Sequence, residues 1–134
     1  MDSKDLYKGQ LQGDTLIIGT RPPLLPLKGV AEYVDWRLNA LISRLIVEKK
    51  FTATPLEKLL LPCNEIHPIN KVIVVGIDNK TKIDIPNVLM GLESDLCSII
   101  LPQDFQEDAV SMLGWKKLDS KNLNNEKLII ISKN

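Results

Sequence analysis

Residues that carry chemistry are scarce in this chain. It has one histidine, His67, and two cysteines, Cys63 and Cys97. A metal centre needs three or four His, Cys, Asp or Glu ligands converging. His67 has only Cys63 and Glu65 nearby, in CNEIH (63–67), so no metal is expected. A Cys63–His67 nucleophile pair lacks the third group that orients the base. Neither G-x-G-x-x-G nor G-x-x-x-x-G-K-[ST] occurs, and VVGIDNKTK holds a single glycine, so no phosphate loop is read. The carboxylates are scattered along the chain rather than gathered in one motif. No catalytic residue and no cofactor is therefore expected, and the chain reads as a non-enzyme.

Other absences exclude whole classes. Lys+Arg and Asp+Glu are 17 each, so the formal net charge is zero. That argues against a global footprint for nucleic acid or an anionic membrane. No run of about 18 apolar residues exists to span a bilayer. The polar start, MDSKDLYKGQ, has no apolar stretch of a signal peptide. Two cysteines without a framework read as free thiols in a reducing, cytoplasmic setting. No repeat or low-complexity tract interrupts the chain.

What is present is an alternation of apolar runs. The 134 residues suit one domain, 1–134, with residues 1–12 as a flexible lead-in. The composition, 44% hydrophobic and 25% charged, is that of a globular protein. DTLIIG (14–19), EKLLLP (57–62), KVIVVGID (71–78), CSIILP (97–102) and KLIIISK (127–133) read as strands. Their near-continuous Leu, Ile and Val mark strands covered on both faces. A helix is expected over 29–50, where Val30, Val34, Leu38, Leu41, Ile42 and Leu45 recur at helical spacing. A second is expected over 85–95, capped by Asp84 with Pro86 in its first turn. A third should start at Asp104, with Glu107 completing a capping box and Gly114 as its stop. Such alternation predicts a three-layer αβα domain around a mixed central sheet.

Two stretches stand out as surfaces. The loop TRPPLLPLKG (20–29) is stiffened by Pro22, Pro23 and Pro26. Its leucines, Leu24, Leu25 and Leu27, either fold back on the core edge or form a preformed apolar knob for a partner. On the first helix, Trp36 lies about 200° from the buried Val34 at 100° per residue. Trp and Arg are favoured hot-spot types, and Arg37 is adjacent. The partner surface is therefore placed at Arg21, Pro22, Pro23, Leu24, Leu25, Lys28, Trp36 and Arg37.

The ordered pattern DTLIIG, VDWRLNALISRLIVEKKFTATPLEKLLLP, KVIVVGID, IDIPNVLMGL and SIILP resembles the amino-terminal domain of M17 leucyl aminopeptidases. The match covers roughly residues 14–102. The resemblance implies a macro-domain-like fold. It also implies a role in assembly, because the family's two-metal peptidase site and its NTDAEGR motif lie in a separate carboxy-terminal domain, and nothing like that motif occurs here. Glycine is missing where the family often has F-x-G (here FTAT) and GLG (here GIDN). The expected role is a non-catalytic interaction, scaffold or regulatory module, with a protein partner or a second copy bound. The alternative is a macro-type module for a nucleotide or ADP-ribose-like ligand. Its site would be the strand-end residues Thr20, Arg21, Asn64, Gly76, Asp78 and Asn79. No VNAAN-like segment or glycine-rich diphosphate loop supports that alternative. Nucleic-acid binding ranks last.

Overall fold

Three apolar runs lie side by side at the centre. In the computed structural model, which describes residues 9–78, 82–106, 109–123 and 125–134, β1 (Thr15–Thr20) sits between β3 (Lys71–Gly76) and β5 (Leu96–Pro102), parallel to both. On one flank β2 (Lys58–Pro62) pairs antiparallel with β3. On the other, β8 (Glu126–Lys133) pairs antiparallel with β5, and β7 (Trp115–Leu123) with β8. The six-stranded mixed sheet thus runs β2-β3-β1-β5-β8-β7. A separate two-stranded parallel pair joins β4 (Ile83–Asp84) to β6 (Val110–Ser111). The helices among the described residues are short: α1 (Gly29–Arg37), α2 (Leu41–Val47) and α3 (Ile85–Val88). None is long and apolar enough to cross a membrane.

Strand alternation divides the core in two. Side chains two apart share a face, so Leu16, Ile18, Val72, Val74 and Ile130 meet Val30 and Val34 of α1 and Ile42 of α2. On the opposite face Ile17, Ile73, Ile99 and Ile129 meet Ile85 and Val88 of α3, with Phe105 and Trp115. Every central strand is buried on both sides, as its unbroken apolar run predicts.

Several expectations are corrected. The helix over 29–50 is two helices meeting at a corner, because Asn39 and Ala40 adopt left-handed backbone (φ 57° and 65°). The second helix is a single turn, Ile85–Val88, capped by Asp84, whose carboxylate accepts the Asn87 N–H. The third does not form among the described residues. Residues 103–104 turn and 110–111 are strand β6, while Glu107 lies outside the described residues. β7 was not anticipated, because its outward residues are polar. Within the expected flexible lead-in, residues 10–12 make contacts with the sheet: Lys121 Nζ donates to the Gln10 Oε1 at 2.6 Å. Leu11 is in the core, and Gln12 and Ser98 exchange two hydrogen bonds of 2.8 Å.

Candidate functional site

The loop after β1 shapes a cavity of about 460 Å³. It opens beyond the carboxyl ends of β1 and β5, at the amino end of α1. In open α/β sheets this is the general ligand position, where connections leave adjacent strands toward opposite faces. The chain leaves β1 for α1 on one face, and leaves β3 and β5 for α3 and Phe105 on the other. The loop from Arg21 to Lys28 supplies half of the lining residues. Pro102, Asn125 and Glu126 close it from β5 and β8.

The loop's leucines divide their roles. Leu24 and Leu27 pack on the first core and Leu25 is 41% exposed, so most of the loop folds back and one apolar side chain remains outside. Arg21 is clasped by Asp104, its Nη2 donating to both carboxylate oxygens at 2.5 and 2.6 Å. That fork joins the loop after β1 to the turn after β5. A second charge is committed too. α1 has no cap of its own at Lys28. Instead the Glu126 carboxylate, arriving from β8, accepts the Val30 N–H at 2.8 Å. Gly29 lets it approach, since at φ 61° a Cβ would strike that carboxylate. An anion at a helix amino terminus is stabilised by the dipole. Here the protein supplies its own, and a diphosphate at that point would meet a resident carboxylate.

The strand-end residues of the small-ligand alternative do not converge. Thr20 and Arg21 line the cavity. Gly76 is Thr20's partner in register, but the backbone of Ala53 and Thr54 covers it closely, and a Cβ would run into the Thr54 carbonyl. Its lack of a side chain serves packing. Asp78 follows two residues on, half-buried. Asn64 lies at the opposite end of the sheet. β2 is antiparallel, so Pro62 pairs with Lys71, about 17 Å from Gly76 at strand rise. Asn79 lies outside the described residues.

The partner-surface residues form two groups. Arg21, Pro22, Pro23, Leu24, Leu25 and Lys28 border the cavity. Trp36 and Arg37 stand at the far end of α1, about 10 Å along the axis from Gly29. Trp36 is 53% exposed, and the Arg37 guanidinium lies 5.5 Å from its ring centroid, within cation–π range. The Arg37 Nη2 also donates to the Glu65 carbonyl at 2.7 Å. Sequence reasoning missed Asn125 and Glu126, which approach α1 from some 96 residues away in the chain. No local signal in EKLIIISK marks that carboxylate as a cap.

Cys63, Cys97, Ser94 and His67 do not line this cavity. Cys63 and Cys97 are buried free thiols, and burial pushes both pKa values up. A raised pKa suppresses the thiolate that a nucleophile needs. Ser94 donates to Asp14 at 2.5 Å and lies 3.1 Å from the Cys97 Sγ. His67 is exposed. Among the described residues no three His, Cys, Asp or Glu side chains gather as a metal site. Among known proteins, no family model matches the chain, and neither a curated protein nor a solved structure matches it.

Proposed function

We propose that this chain is a non-catalytic, protein-binding module that engages its partner through the outward side of α1 and the adjoining proline–leucine loop. The observation that carries the reading is Trp36, half out of the surface with Arg37 stacked beside it. Exposed Trp–Arg pairs are the side chains that dominate binding energy at interfaces, and a loop bounded by prolines loses little entropy on docking. The resemblance to the amino-terminal domain of M17 leucyl aminopeptidases belongs to the same reading, with a macro-domain-like three-layer arrangement and an assembly role. It draws support from the three runs DTLIIG, KVIVVGID and SIILP, which supply the three parallel central strands.

A photo-crosslinking amino acid at position 36 or 25, compared with one at Leu113 on the turn before β7, tests this in the source cell. Protein adducts at 36 and 25 but not at 113 are expected. Equal adducts at all three, or none at 36 and 25, would overturn it. The cavity favours a second reading, a small-ligand module. Thermal unfolding with ADP-ribose and nucleotides decides that one. A ligand at 100 times its dissociation constant stabilises by about 2.7 kcal/mol, a shift of several degrees. The Glu126 carboxylate at the α1 terminus leads us to expect no shift with the diphosphates.

A further inference from the structure

The outward face of α1 has the charge pattern of a helix that pairs with its own copy. At 100° per residue, Val30, Ala31, Val34 and Asp35 point inward and are buried. The opposite stripe holds Glu32, Trp36 and Arg37, with Tyr33 half-buried at its edge and packed on the first core. Taking the line midway between Tyr33 and Trp36 as its centre, Glu32 and Arg37 stand about 70° to either side. In heptad terms Glu32 is g, Tyr33 a, Trp36 d and Arg37 e.

The charges choose the geometry. If two such faces met antiparallel, each flank would hold like charges, Glu32 against Glu32 and Arg37 against Arg37. If they met about a two-fold axis running along the helix, g of one copy would face e of the other, five residues on. Glu32 of each copy would then lie beside Arg37 of the other, twice over. No described residue makes an ion pair or a side-chain hydrogen bond with the Glu32 carboxylate in the isolated chain. Arg37 is already held on its flank by Trp36 and the Glu65 carbonyl. A guanidinium has five N–H donors, so that bond leaves others available. The formal net charge of zero adds no long-range repulsion between copies.

We infer that the partner of this face is a second copy of the chain, docked in a parallel two-fold arrangement. Trp36 of both copies closes its centre beside the half-buried Tyr33, and reciprocal Glu32–Arg37 pairs close its flanks. The inference rests on the protein-binding reading and names its partner.

Sedimentation equilibrium of the whole chain over a wide concentration range tests it. The wild type is expected to dimerise. Glu32→Arg, which removes no contact within the fold, sets arginine against Arg37 on both flanks and should weaken association roughly tenfold or more. Arg37→Glu should do the same, and the double variant should restore it. Trp36→Cys should form an intermolecular disulfide on oxidation, since d meets d only in the parallel pair. A wild type that stays monomeric at all concentrations overturns the inference. So does a double variant that does not recover, with circular dichroism showing it folded. If the chain is monomeric yet crosslinks at position 36 to a different protein, the self-pairing falls and the protein-binding reading stands. If no position crosslinks, both fall.

Discussion

Glu57 shows how one side chain holds an irregular segment. Between α2 and β2 the chain passes through Ala53 and Leu56, both at positive φ, and something must hold that turn. The Glu57 carboxylate accepts the N–H groups of Thr52 and Thr54 and the Thr52 hydroxyl, at 3.0–3.2 Å. Lost solvation pushes its pKa up, but these hydrogen bonds together outweigh it, and the net shift is downward. A carboxyl whose pKa is lower in the folded state binds its proton more weakly there than in the unfolded chain. Its contribution is complete above the ordinary glutamate range and is lost as pH falls through the folded-state value. Glu57→Gln should therefore lower the Tm at neutral pH, and the gap to wild type should close on acidification below the ordinary range. A gap that is constant with pH would remove the charge from the explanation. The turn it secures also covers Gly76, so Glu57 acts on the sheet end through backbone packing rather than through a ligand.

At the scale of elements, the corner between α1 and α2 decides where Trp36 stands. The Asp35 carboxylate, at the end of α1, accepts the Ser43 N–H at 3.0 Å and its hydroxyl at 2.6 Å, which caps α2 from outside. Ala40 pays for the bend, because alanine in left-handed backbone costs about 1–2 kcal/mol. Ala40→Gly should accordingly stabilise by about 0.5–1 kcal/mol. In a continuous helix over 29–50 the same change would cost about 1 kcal/mol. Asp35→Ala should destabilise by about 1–2 kcal/mol, a Tm drop of roughly 3–8 °C. Urea titrations of both variants give the signs. The corner was not legible in the sequence, because Leu38, Leu41, Ile42 and Leu45 keep helical spacing across it. The cap that breaks the helix is a three-dimensional contact between positions 35 and 43. The strands were more legible. DTLIIG, KVIVVGID, CSIILP and KLIIISK are strands within a residue or two of their expected bounds, since burial on both faces leaves an unbroken apolar run. β7 was hidden because an edge strand shows solvent polar residues. Its Lys116, Lys117 and Lys121, with the register shift near Leu118, also discourage a further strand from pairing there. The place of Asn64 follows from the direction of β2, which runs antiparallel to β3. A short connection between adjacent strands makes an antiparallel pair, while parallel neighbours need a crossover of a dozen residues or more.

For the whole molecule the question is whether two cores behave as one. Each central strand contributes alternate residues to both: Ile17 faces one and Ile18 the other, as Ile73 does with Val74. One face cannot lose its packing without loosening the strands that hold the other. The candidate surface depends on this coupling. Leu25 and Trp36 ride on a loop and helix anchored by the first core, while Glu126, which caps that helix, comes from β8, whose Ile129 and Ile131 belong to the second. Sequence could place the loop beside a strand end but not bring Glu126 to it, because that contact exists only once β8 has paired with β5. The two tryptophans report the two sides separately. Trp36 sits on α1 above the first core, and Trp115 is 8% exposed within the second. In Trp36→Phe and Trp115→Phe, each left with one reporter, the fluorescence midpoint in urea should coincide with that of far-ultraviolet circular dichroism, as in an all-or-none transition. An earlier transition at Trp115 would mean that the face covered by α3, Phe105 and Val110 opens by itself. The α1 surface would then sit on a sheet half that can stay folded without the other.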